Sequence, residues 1–324
     1  MKNTLIILFL FGIIISNAQR IDTDIKIYVK YRVKKNGKRI DVNNLFIFNH
    51  DLICDNVEYS RYIDKESGLV GIRNRQGKII ISPKYNGLSE VKNGIIVALK
   101  NSVNTSKVHT KDDDKKLDCR HYIWKEGQIS LINIKDQILI EDFDYNRFLN
   151  LSSLQKSKTP TNNSTRTNFK TLSGQYYSFI DNKEELKAKL SLVLSKTIDK
   201  TVLLNLVDDT ISYRGKKRSW SSQNKNTFVN KYFNLIKEKL LSLKGLDLDD
   251  KIYVNTHVPN MIWKASPKNN SNPCEKNDVT KQPTLRIVLT NKVNGRNQRD
   301  SFDFLRTNEG YKLIRIEFAK KEFK

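Results

Sequence analysis

Between residues 25 and 148 the apolar positions fall in short β-rich runs separated by turn-forming residues, and no helical period of adequate length interrupts them. The pattern predicts strands at 25–33, 45–48, 79–81 and 95–99, with turns at Asn36-Gly37, Gly77-Lys78 and Asn93-Gly94. Short strands spaced by Asn-Gly and Gly signals point to antiparallel hairpins. The period then changes. Asp181 and Glu184 stand in the N-cap and N3 positions of a helix start. Leu186, Leu190, Val193, Leu194 and Ile198 follow at helical spacing, which predicts one helix of about five turns. A short strand at 210–214 comes next. A second amphipathic helix carries Phe228, Tyr232, Leu235, Ile236, Leu240 and Leu243 and stops at Gly245, a residue suited to a left-handed C-cap. Strands at 252–258, 284–290, 301–306 and 311–318 complete the pattern, the last two joined through Thr307-Asn308-Glu309-Gly310.

Ahead of all this, Lys2 precedes an unbroken apolar run from residue 5 to 15, then Ser16-Asn17-Ala18. Basic start, apolar core and small residues at the cleavage positions make a secretory signal over 1–18. The run is shorter than the roughly 20 residues a spanning helix needs. Residue 19 is Gln, so no lipidated Cys follows, and the expected mature chain is a periplasmic or secreted protein beginning at Gln19. Length fits two domains, a β-repeat domain at 19–150 and an α+β domain at 176–324. Residues 151–175, rich in Ser, Thr, Asn and Lys around Pro160, read as a polar linker.

Within the first half, one stretch has a more specific form. Gly68-Leu69-Val70-Gly71-Ile72, the turn closed by Gly77, the strand Ile79-Ile80-Ile81, the step Pro83-Lys84-Tyr85 and the turn Asn93-Gly94 together resemble the WG repeat of bacterial proteins. In that reading Gly77 supplies a positive φ, Pro83 ends its strand for want of an N–H, and Tyr85 caps the core. A weaker copy follows at Gly127 to Asn133, Ile138-Leu139-Ile140 and Phe143-Asp144-Tyr145, with Asp136 in the place of the turn Gly and Asp142 in that of the Pro. The signature Trp is Val70 in the first copy. The polar stretch 101–120 between them reads as a solvated loop, since it lacks the alternating acids and central Gly of a calcium loop. The second half, 176–324, resembles the nuclear transport factor 2-like, or cystatin-like, cone domains in the order of its elements. That likeness implies helices packed on a curved antiparallel sheet around a pocket, which in enzymatic members holds an acid or base.

Charge sharpens the partner classes. The chain carries 58 Lys and Arg against 35 Asp and Glu, a net +23, and the second half holds the larger share of the excess. Such a field favours anionic partners; export turns the expectation from nucleic acid to envelope components, with peripheral membrane contact left open. The densest cationic cluster is Arg214, Lys216, Lys217 and Arg218, flanked by Tyr213 and Trp220, a mixture suited to an anionic polymer and equally to a solvated hairpin. Trp220 and Trp263 are candidates for a ligand mouth, and His257, on a strand with Tyr253 and Asn255, is the candidate ionisable group of a cone pocket. Of the three cysteines, Cys54 and Cys119 could form one bridge, leaving Cys274 free. No phosphate loop, dinucleotide fingerprint, HExxH or GxSxG is present. No cofactor or metal is expected, and the leading expectation is a non-catalytic exported protein that binds a protein or an anionic envelope component. An enzyme using the cone pocket for acid–base chemistry, or a cationic module for envelope polymers, are the alternatives.

Overall fold

The computed structural model describes residues 32–35, 38–41, 58–104, 124–214, 219–255, 283–293, 296–319 and 323. The expectations for residues 1–31, for the strand at 45–48, for the three cysteines and for most of the 101–120 loop lie outside that set.

A hairpin of β1 (Arg32–Lys35) and β2 (Lys38–Asp41) comes first. A three-stranded antiparallel sheet follows, β3 (Tyr59–Ile63), β4 (Val70–Asn74) and β5 (Ile79–Tyr85), with β4 in the middle. Pro83 does not end β5, contrary to the sequence expectation. Its strand lies at the edge of the sheet and the ladder with β4 is bulged there, so the missing N–H breaks no regular pairing. Gly71 sits opposite Tyr62 in register, and a Cβ at that position would lie 2.7 Å from the tyrosine ring and 2.6 Å from the Ile81 carbonyl. The bare glycine is what lets the ring lie across the strand.

Next come β6 (Gly87–Leu88), β7 (Ile95–Lys100), β8 (Val103–Asn104), β9 (Trp124–Lys125), β10 (Gln128–Asn133) and β11 (Ile138–Ile140). β8 pairs with β9, and the other four form a sheet in the order β11-β10-β7-β6. All five residues from Ile95 to Leu99 are buried. Alternation explains how: Ile96 and Ala98 pack with Val70, Ile72 and Ile81 of the preceding sheet, while Ile95, Val97 and Leu99 pack with Leu149, Leu151, Tyr177 and Phe179 of the following one. A strand enclosed on both faces reads as a continuous apolar run, and β7 is the middle of a stack of three sheets.

The third layer is β12 (Leu149–Ser157), β13 (Arg166–Lys170) and β14 (Tyr176–Asp181), ordered β12-β14-β13. Residues 151–175 are therefore not a linker. Their polar composition hides strands because polar side chains complete the ladder's surroundings. Arg166 donates to the Ser178 carbonyl at 2.7 Å and to that of Ser153. Asn168 bonds Thr161 twice, at 2.9 Å each way.

One turn recurs through the stack. At Asn74–Lys78, Asn133–Gln137 and Thr171–Gln175, the first residue's N–H donates to the fifth residue's carbonyl at 2.8–3.0 Å, and the fourth residue's N–H donates back at 3.0 Å. The fourth residue has a positive φ each time: 79° for Gly77, 63° for Asp136 and 84° for Gly174. This is a type I turn closed by a bulge residue in the left-handed region. Asp136 tolerates it and uses its side chain besides: the Tyr85 hydroxyl donates to its carboxylate at 2.6 Å and Lys84 pairs with it. Burial and that bond push the Tyr85 hydroxyl well above the usual phenol range.

β14 runs directly into α1 (Asn182–Leu194), whose N-cap is Asp181, the last residue of the strand. Its carboxylate accepts from the Lys183 and Glu184 amides at 2.9 and 3.3 Å, as the sequence predicts. The expected five-turn helix stops at Leu194, short of Ile198, and a further helix that the pattern did not predict follows it. Asp199 caps a separate α2 (Lys200–Leu206) by accepting from the Val202 amide at 2.8 Å. Then follow β15 (Val207–Arg214), β16 (Trp220–Asn224), α3 (Lys225–Leu241), β17 (Ile252–Val254), β18 (Thr284–Val293), β19 (Arg296–Thr307) and β20 (Gly310–Glu317). The strands make one sheet in the order β16-β15-β20-β19-β18-β17, antiparallel except for the pairing of β15 with β20. The helices bury Leu186, Leu190, Leu203, Phe228, Ile236 and Leu240 against one face of this sheet, on Ile211, Ile287, Phe302, Phe304 and Ile316. The described chain is thus β-rich, mostly antiparallel, with three helices giving its second half an α+β character.

Candidate functional site

Two of the seven sequence candidates fall among the described residues, and they fall together. Arg214 and Trp220 are register partners across β15 and β16, on the sheet face turned away from the helices. Lys216, Lys217, Arg218, His257 and Trp263 lie outside the described residues. The indole of Trp220 has the Arg214 guanidinium 6.0 Å and the Arg315 guanidinium 4.7 Å from its ring centre, within cation–π range. Arg214 is ion-paired to Glu317, so it does not present an uncompensated charge to an anionic polymer.

Deeper on the same face lies a cluster that no sequence motif marked. Asp303 is 1% exposed. It accepts from Arg286 through two bonds of 2.8 and 3.0 Å, from Asn255 at 2.8 Å, and from the Arg315 Nε. Burial pushes the Asp303 carboxyl up, and Arg286 and Asn255 pull it back. Arg286, Asp303 and Arg315 are direct neighbours across β18, β19 and β20. In the sequence they are three charges in three apolar strands; only the register brings them together. Two guanidinia and an amide converge on one carboxylate, the arrangement of a structural ion cluster.

Between the helices and the sheet, where a cone domain would hold its pocket, the space is filled by rings. Tyr213, Phe228 and Tyr232 contact one another at 5.2–5.7 Å between centroids. Phe323, from beyond β20, stands 5.0 Å from Tyr213 and 5.0 Å from Tyr232, and stacks on Phe318 at 5.2 Å. Burial, with Tyr232 beside it, raises the Tyr213 hydroxyl.

The open space is elsewhere. A cleft of about 510 Å³ separates α1 from the turn after α3; its apolar lining includes Leu190, Leu194, Leu243, Leu246 and Leu248, and its polar lining includes Glu184, Lys187, Ser191, Lys244 and Asp247. Gly245, at φ 76°, turns the chain three residues beyond Ser242, the actual C-cap of α3, so it has the expected positive φ without being the cap the pattern predicts. The loop is clamped to α1 through Asp249, which pairs with Lys187 at 2.9 Å and Lys183 at 3.3 Å; Lys187 also reaches Glu184 at 3.2 Å. The bonds from Lys187 and then Lys183 hold the Asp249 carboxyl below its ordinary 3.8, while the Asp249 bond raises Lys187 above 10.5. A depressed acid contributes above its unfolded pKa and ceases to as pH falls through its folded one; a raised base ceases to as pH climbs through its own. The clamp therefore holds across the neutral range. Hydrogen exchange of amides 246–251, corrected for intrinsic rates, should stay slow and flat from about pH 5 to 9 and accelerate below the carboxylate range. Acceleration already at pH 5 would show that Asp249 does not hold the loop.

Among the described residues there is no group of three His, Cys, Asp or Glu able to hold a metal ion, and no helix long and apolar enough to cross a membrane. No protein-family model matches the chain, so the resemblance to WG repeats finds no support there, and no curated relative matches. Among solved structures the chain is similar to a DUF4783 family protein from Bacteroides fragilis, at 10% identity over 36% of this chain and 83% of that one, with a TM-score of 0.17. It is also similar to a candidate ketosteroid isomerase from Parabacteroides distasonis, at 12% identity over 42% and 87%, with a TM-score of 0.21. Overlays this loose carry no argument about fold or activity, and the description of the second half stands on its own strand order and register.

Proposed function

We propose that the chain is a non-catalytic binding protein, exported through the signal at 1–18, whose ligand lies in the cleft between α1 and the turn at 243–248. The observation that carries this reading is where the space is. The interior between helices and sheet is occupied by Tyr213, Phe228, Tyr232 and Phe323, whereas the cleft is open and combines five leucines with two lysines, three serines, Glu184 and Asp247. Leucines bordered by serines and by charges of both signs suit the side chains of a short peptide or a small amphipathic ligand. The order of helices and strands in 182–317 supports a cone-type scaffold for it, and the stacked hairpins of 59–181 are its mount in this reading.

The test uses the mature chain and a library of apolar fragments and short peptides, read by ligand-detected NMR, beside Ser191→Trp, which fills the cleft from an exposed position. Binders are expected to wild type and to be lost with Ser191→Trp at unchanged thermal stability. Binding indifferent to that substitution would remove the cleft from the reading. Turnover of a hydrolase and isomerase substrate panel would overturn the non-catalytic part.

A further inference from the structure

The ring cluster contains a feature that packing alone does not require. Tyr213 belongs to β15, Phe228 and Tyr232 to α3, and Phe318 directly follows β20. The first three are held within an element's own backbone ladder, and Phe318 stands one residue past the end of one. Phe323 is in no strand or helix, yet its side chain is 2% exposed and touches all four of the others at 5.0–5.8 Å. Three of the four rings also touch one another, Phe318 stacks on Phe323, and together the four make up the surround, or box, that Phe323 fills.

We propose that this box is a binding site for a single aromatic ring bearing a hydrogen-bond donor, a phenol or an indole, and that Phe323 occupies it as a displaceable stand-in. The donor follows from Gln223. Its register partner is Ile211, so its side chain shares the buried sheet face, one row from the Tyr213–Ser221 pair. Its Oε1 is buried without a hydrogen-bond partner among the described residues. An unpaired buried acceptor carries a desolvation penalty, and a phenylalanine ring has nothing to donate to it. A phenol or indole offers the box the same apolar surface and also a donor. Against it stands the tether, which keeps Phe323 at an effective concentration on the order of millimolar. A ring without a donor should therefore compete poorly. This site is separate from the cleft, and the two readings fail independently.

The experiment places 4-fluorophenylalanine at position 323 of the otherwise unaltered chain and follows its fluorine resonance while p-cresol, indole or toluene is added. Expected is a move from a buried to a solvent-exposed shift with p-cresol and indole, and little or none with toluene at the same concentration. In Phe323→Ala, p-cresol should bind at least about tenfold more tightly than in wild type because its competitor is gone, and Gln223→Met should erase the preference for p-cresol over toluene. A fluorine signal that stays buried at saturating p-cresol would show Phe323 to be a permanent wall and overturn the proposal. Equal displacement by toluene and p-cresol would overturn the role of Gln223. The fluorine titration decides the matter even where Phe323→Ala fails to fold.

Discussion

Asp303→Ala is expected to destabilise the protein by about 3–5 kcal/mol, the range for breaking one partner out of a buried ion network. The cost comes less from lost attraction than from what stays behind. Arg315 has a side-chain exposure of 7% and Arg286 of 28%. With the carboxylate gone, both guanidinia keep their desolvation penalty, and the Asn255 amide loses its acceptor. The Trp220 ring over Arg315 compensates only in part, since a cation–π contact contributes about 0.5–2 kcal/mol. Urea denaturation at fixed pH measures the loss directly, with the slope expected unchanged. The double variant Asp303→Leu with Arg315→Met removes the two most buried charges and should recover part of the stability, the half-buried Arg286 and the Asn255 amide still lacking the carboxylate. A single variant costing less than about 1 kcal/mol, or a double no better than the single, would show that the network is not buried as described.

Phe143→Ala should be comparably severe, at about 3–5 kcal/mol. The ring is 1% exposed and lies 4.7 Å from Phe169, 6.1 Å from Phe179 and 6.4 Å from Tyr145 between centroids. Its backbone N–H is bonded to the Ile129 carbonyl at 2.7 Å. Phe143 thus joins β10 of the middle layer to β13 and β14 of the third. Its loss leaves a cavity between layers that rigid strands cannot close, which is why the cavity cost adds to the transfer cost. The same denaturation experiment gives the magnitude, and limited proteolysis gives the location: cleavage should rise first in the β12–β13 loop around Pro160. A fall in stability with no new cleavage there would place the ring's contribution within the middle layer alone.

The two expected effects fall on residues that differ in legibility. Phe143 is visible in the sequence as part of the weaker hairpin copy, but its partners Phe169 and Phe179 lie in and beyond a stretch whose composition suggests a linker. That stretch misleads because β12 and β13 are half-exposed strands whose surroundings are completed by Asn168, Thr161 and Arg166 instead of by apolar alternation. Asp303 stands between Phe302 and Phe304, both fully buried. Alternation along β19 says only that it points the other way. That two arginines meet it depends on strands 12 to 17 residues away aligning without a slip. The candidate cations fared likewise: Arg214 and Trp220 are legible as neighbours of a basic cluster, but the commitment of Arg214 to Glu317 crosses 103 residues.

By itself the sequence determined the features that close within a few residues. The turns at Gly77, Gly94, Gly245 and Gly310 and the cap of α1 at Asp181 are set by local hydrogen bonds and by the left-handed backbone that glycine accepts. The same holds for the β-then-α+β order along the chain, because hydrophobic period is a local property. Tertiary structure alone decided the rest. It ended the expected long helix at Leu194 and started another after Asp199, carried β5 through Pro83 by leaving it at an edge, and enclosed β7 between two sheets. It also assembled the Asp303 network and set Phe323 among four rings. Each of these depends on register or on contacts between distant segments, where a shift of one residue turns every side chain to the opposite face.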